Sequence, residues 1–197
     1  MNFSKRKRWK LVPLFVMLVG LLTVSPVFGQ NTDPNELFDL GVNAFTAGDY
    51  EAAVDYLEKA LPHYGKIVHP GPWDIYEFAP PEMTDTTYGG RPSEWSARIA
   101  LTWVGDRHFE IIQPLKGPNV YYDHLEAKGE GLHHIKEWAK DCASRVRDFE
   151  QRGFPVIQSG RLGDDEFYYI DTMDALGFYY EIGNNGDIRE PDDRWEL

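Results

Sequence analysis

Residues 131–184 pass through five pattern blocks in a fixed order, and that order restricts the fold more than any other feature of the chain. LHHIKEWA alternates as a strand does. DCASRVRDFEQRG carries Ala143, Val146 and Phe149 on one helical stripe and stops at Gly153. FPVIQSGR, DEFYYIDT and GFYYEIGN read as three further strands. The result is β-α-β-β-β, an α+β arrangement.

Upstream, GPWDIYEF is a short aromatic strand after a Gly-Pro turn. APPEMTDTTYGGRPSE is expected to be an irregular loop, because Pro and Gly crowd it. WSARIALTWVGDRHFEIIQP reads as two strands around the turn signal Gly105-Asp106. LKGPNVYYDHLEAKGEG is a loop and a short helix. Residues 30–65 have a different texture. Leu37, Leu40 and Ala44, then Tyr50, Ala53, Val54, Leu57, Ala60 and Leu61, fall at helical spacing, interrupted at Gly48-Asp49. That is a helical hairpin resembling one tetratricopeptide repeat. A single unit of that kind cannot bury its own apolar face, so it must pack on the following domain or on another protein.

The two ends carry other signals. Residues 1–29 have a basic start, an apolar core LVPLFVMLVGLLTV and a small residue, Gly29, at a plausible cut. This is a secretory leader pattern, which implies a periplasmic or secreted protein. The other reading is an uncleaved anchor, since Leu11–Phe28 lies at the lower limit of a membrane span. Removing residues 1–30 takes five Lys and Arg and no acidic residue, which deepens the net charge from −12 to −17. Such a surface repels nucleic acid and anionic lipid. Cys142 is the only cysteine, so no internal disulfide forms, and its setting is a half-buried helix. Residues 187–197 read as a loosely ordered tail.

GPWDIYEF, RIALTWVGDRHFEIIQPLKG, GEGLHHI, RGFPVIQSGR and GFYYEIG, in this order and spacing, resemble the vicinal oxygen chelate superfamily over about residues 66–186. That group includes lactoylglutathione lyase, methylmalonyl-CoA epimerase, extradiol dioxygenases and the bleomycin- and fosfomycin-resistance proteins. The epimerase-like and lyase-like branch is the nearest. The resemblance implies two β-α-β-β-β modules curled into a half-open barrel around a divalent metal, often in a dimer. Here the first module is incomplete or degenerate and the helical hairpin precedes it. In an alternative alignment FDLGVNAF is a worn first strand, DYEAAVDYLEKAL is the first-module helix, and Asp39 stands at a ligand position.

Carried onto this chain, the resemblance implies Glu110, His134 and Glu181 as metal ligands. Alternate side chains of a strand face one side, so only one of His133 and His134 reaches such a site, and His133 is then a structural bystander. Two carboxylates and an imidazole suit Zn, Ni, Co, Mn or Fe. Glu181 and Lys136 are the candidate catalytic groups, and Trp138, Arg98 and Tyr179 the candidate substrate contacts. Lys136 shares a face with His134 and Trp138 where related motifs have a small apolar residue. It has three readings: an ammonium that snorkels out of the barrel mouth, a substitute for the metal's charge, or a general base whose pKa has fallen.

The function implied is a metal-dependent isomerase, epimerase or lyase acting on a small oxygen-chelating substrate through an enediolate. Export argues against a coenzyme A ester. Two alternatives stay open: a non-catalytic module that binds a ligand against its aromatic side chains, and a decayed paralogue.

Overall fold

The computed structural model describes residues 14–16 and 50–197, and two packed sheets organise them. The chain enters through helix α1 (Tyr50–Ile67), which leads into strand β2 (Trp73–Phe78). The hairpin β5 (Ser96–Val104) and β6 (Arg107–Lys116) turns at Gly105, whose φ of +64° suits glycine. A last strand, β11 (Asp193–Trp195), pairs with β2, and the four form one sheet in the order β11-β2-β5-β6.

The second sheet collects the remaining strands. β7 (His134–Trp138), α3 (Cys142–Glu150), β8 (Val156–Leu162), β9 (Asp165–Ile170) and β10 (Tyr179–Gly183) give the β-α-β-β-β order read from the sequence. β10 returns to lie parallel to β7, with Tyr179 opposite His134 and Glu181 opposite Lys136. β3 (Met83–Tyr88) and β4 (Arg91–Pro92) extend the far edge, because β3 pairs antiparallel with β8. The Pro- and Gly-rich segment expected to be irregular therefore contains an edge strand. Its Pro80, Pro81 and Pro92 stand outside or at the end of the pairing, where a missing N–H does no harm. The short strand β1 (Leu14–Val16) pairs with the other edge, at β7. Helices α2 (Val120–Lys128) and α4 (Met173–Leu176) are short connectors between strands.

Three apolar clusters hold the layers. Leu57 and Leu61 of α1 pack on Trp73, Ile75, Ala100 and Ile111, the outer face of the first sheet. Cys142 and Phe149 of α3 pack on Ile170 and Ile182, the outer face of the second. The third cluster lies between the sheets and includes Tyr76, Trp95, Ile99, Leu101, Phe167 and Tyr169. On β5, Ala97, Ile99 and Leu101 face inward while Ala100 faces α1, as strand alternation requires. The segment read either as the hairpin's second helix or as the first-module helix is α1, docked on its own domain. The hairpin's first helix, FDLGVNAF and Asp39 lie outside the described residues.

The tail departs from expectation. Arg189 bonds to Asp192 and Glu82, Arg194 bonds to Asp74, and Asp192 accepts the backbone N–H of Glu77. Residues 187–197 are ordered because they complete the edge of β2.

Candidate functional site

A cavity of about 160 Å³ opens between the two sheets. Its walls are apolar: Phe78, Trp95, Ile99, Leu101, Phe167 and Ile188. Its polar groups come from four different strands. β6 brings Glu110, β7 Lys136, β9 Asp165 and β10 Glu181. Each sits on the inward parity of its strand, so the alternation that builds the core also aims these groups at one another.

His134 and Glu181 form the tightest pair. His134 Nε2 is 2.7 Å from Glu181 Oε2 and 3.7 Å from Glu110 Oε2. Lys136 Nζ lies 3.2 Å from Glu181 Oε1 and 4.0 Å from Asp165 Oδ2. Asp165 is itself fixed by the Gly186 backbone N–H, 3.0 Å from Oδ1. Behind them, the hydroxyls of Tyr121 and Tyr169 bond at 3.0 Å.

His133 is more than a bystander. Its Nε2 is 3.3 Å from the Val120 carbonyl oxygen, and its Nδ1 is 2.9 Å from Nδ1 of His134. Burial, with His134 and His124 nearby, pushes the His133 imidazolium well below the ordinary range, so the ring is neutral. A carbonyl only accepts, so Nε2 of His133 carries the proton and Nδ1 is bare. His134 must then donate from Nδ1, which turns its Nε2 toward Glu110 and Glu181. A histidine fixed in this way by a second polar group is the arrangement that orients metal-binding imidazoles.

The two glutamates are driven apart electrostatically. Burial pushes Glu181 up, but Lys136 and His134 outweigh it and pull the carboxyl down to about 2. It is an anion and a poor proton acceptor. Burial raises Glu110, Glu181 raises it further, and His134 only partly offsets them. Burial likewise raises Asp165 against the attraction of Lys136. Paired carboxyls with divergent affinities are the usual basis for assigning separate roles to two acids.

Lys136 corrects two of its three readings. Its side chain is 12% exposed and turned inward, so it does not snorkel. Burial opposes its charge, but Glu181, Asp165 and Glu110 overrule that and raise its pKa, so it does not match a depressed base. The candidate substrate contacts are corrected too. Trp138 ends β7 at the surface, 40% exposed, and its Nε1 donates to the Asn184 carbonyl. Arg98 points to the α1 side of β5, 3.6 Å from Glu58. Tyr179 is buried against the His133 ring, with centroids 5.1 Å apart, and does not line the cavity. Conversely, Asp165, Tyr121 and Tyr169 line it. Inward parity with Phe167 was the available signal for Asp165. His108 stacks on Trp103 at the rim, its pKa lowered to about 4 by burial and Lys136.

Among the described residues, no group of three acidic, histidine or cysteine side chains is placed to hold a metal ion. The donor kinds at hand, the imidazole of His134 and the carboxylates of Glu110 and Glu181, are ones a divalent ion accepts. Glu181 Oε2 is buried, and His134 Nε2, 2.7 Å away, is its close polar neighbour.

The fold and cavity define the class: a half-open barrel of two facing sheets with acidic and imidazole side chains on its inner wall. Residues 50–169 match the model of the Glyoxalase/Bleomycin resistance protein/Dioxygenase superfamily, and the chain belongs to it. A hypothetical protein from Bacillus halodurans is similar in structure, with a TM-score of 0.50 and 19% identity over 68% of this chain and 88% of that one. Methylmalonyl-CoA epimerase from Mycobacterium tuberculosis aligns with a TM-score of 0.46 and 20% identity, over 64% of this chain and 79% of that one. A methylmalonyl-CoA epimerase bound to methylmalonyl-CoA aligns with a TM-score of 0.44 and 15% identity, over 68% and 90%. No curated protein matches.

Proposed function

We propose that this protein is a divalent-metal-dependent isomerase, epimerase or lyase acting on a small substrate with two neighbouring oxygens. One observation carries the reading. Glu181 Oε2 and His134 Nε2 face each other at 2.7 Å, Glu110 Oε2 lies 3.7 Å from the same nitrogen, and both glutamates line an aromatic cavity. Glu110, His134 and Glu181 would hold the ion, and their chemistry suits Zn, Ni, Co, Mn or Fe. When bound, such an ion polarises a substrate carbonyl and stabilises the negative charge that develops on its oxygen.

The chain's own residues divide the remaining work. Glu110, raised by burial, is the group suited to carry a proton. It takes one from the carbon beside the carbonyl and returns it to the neighbouring position or the opposite face. Glu181 stays ionised beside His134. Trp95, Leu101 and Phe167 keep water from the reacting atoms. The cavity of about 160 Å³ is close to one of about 150 Å³ that accepts benzene, so the reacting part has roughly half a dozen non-hydrogen atoms. A small 2-oxo or 2-hydroxy compound meets that limit.

Elemental analysis of the purified protein tests the reading. One divalent ion per chain is expected, with Glu110→Gln, which removes a ligand and the proton carrier together, weakening metal binding and abolishing proton exchange at the substrate carbon. No ion at saturating metal, with stability indifferent to chelators, would overturn it in favour of a ligand-binding module.

A further inference from the structure

Lys136 is the group the proposed chemistry does not need as a ligand or base, yet the fold makes specific room for it. Its register partner across the sheet is Glu181, and its ammonium meets that carboxylate at 3.2 Å. Two residues further along β10 stands Gly183. A Cβ there would meet Lys136 Cε at 2.4 Å and Nζ at 3.0 Å, so the lysine stem lies in the gap the glycine leaves. A second carboxylate, Asp165, waits 4.0 Å from the ammonium, held from behind by the Gly186 N–H.

We propose that Lys136 is the built-in counter-cation of this site, which competes with the divalent ion for Glu181 and shifts toward Asp165 when the ion binds. The proposal rests on the metal reading above. An ammonium and a divalent ion repel when they share one carboxylate, and the repulsion is strong where water is excluded. Glu181 therefore has two possible cationic partners, and Lys136 has two carboxylate seats. With Lys136 on Glu181, the buried anion is never left unpaired in the metal-free protein. With Lys136 on Asp165, Glu181 is free to ligate. The exchange weakens metal binding and keeps the empty site folded. Glu110, His134 and His108 also face the cluster, and none of them offers the ammonium a closer oxygen.

Titration of the full chain with Co²⁺, followed by the visible absorption of the bound ion, reads the competition without any activity assay. Lys136→Gln keeps an N–H donor toward Glu181 and loses the charge, and Lys136→Met loses both. Both variants should bind Co²⁺ about tenfold tighter than wild type or more, and Asp165→Asn, which removes the second seat, several-fold weaker. Circular dichroism establishes that each variant is folded, and if Lys136→Met is not, Lys136→Gln decides. Equal affinity in wild type and Lys136→Gln overturns the competition while leaving the metal reading intact. Absence of a Co²⁺ band in wild type and in every variant overturns the metal reading and the competition with it.

Discussion

His133 has no direct line to the cavity, yet two hydrogen-bonding nitrogens tie it between Val120 and His134. His133→Phe keeps the ring volume and leaves His134 Nδ1 and the Val120 carbonyl without that partner. We expect a loss of about 1–3 kcal/mol in urea unfolding, the cost of buried polar groups left unpaired. Glu181 makes a different prediction. Its folded carboxyl is pulled to about 2 from an ordinary 4.5, so it contributes stability that is complete above 4.5 and is lost as pH falls toward 2. Glu110 and Asp165, raised in the folded state, act with the opposite sign: their contribution is complete in acid and lost as pH rises through their folded values. Glu181→Gln should therefore flatten the fall in unfolding free energy between pH 4.5 and 2. An unchanged slope there would mean that Glu181 is not held as an anion.

At the scale of elements, each sheet is closed on its outer face by one helix. Leu61 of α1 is fully buried against the first sheet. Leu61→Ala should cost about 2–5 kcal/mol in chemical denaturation, with no change in the cavity, which lies on the other side of β5 and β6. The closing strand β11 makes the matching prediction at the sheet edge. Deleting residues 189–197 removes the Arg189 and Arg194 ion pairs and the backbone pairing of β11 with β2. The deleted chain should melt several degrees below the full one, as a loss of about 1–2 kcal/mol does in a domain of this size. A tail that were only loosely ordered would leave the melting temperature where it is. The tail was illegible in the sequence because GDIREPDDRWEL has neither strand alternation nor a helical stripe. Its order comes from partners 107 to 120 residues away, the carboxylates of Glu82 and Asp74 and the backbone N–H of Glu77.

Across the whole molecule, the facing of the two sheets creates the site. Glu110 belongs to the first sheet and His134, Lys136, Asp165 and Glu181 to the second, so neither sheet alone holds the cluster. Glu110, His134 and Glu181 were reached through the family resemblance, whereas the order β-α-β-β-β in residues 131–184 and the β5–β6 hairpin were legible in the sequence itself. They depend on hydrophobic period and turn residues, which are local properties. What the tertiary structure decided was which polar groups meet. Lys136 turned inward because Gly183 leaves space for its stem and Glu181 lies opposite. Arg98 and Trp138 turned away because one lies on the α1 face of its strand and the other at a strand end. A residue's period along the chain gives the side of the strand it occupies, but the charge it will face is set by a strand folded in from elsewhere, and only the packed sheets bring that strand into place.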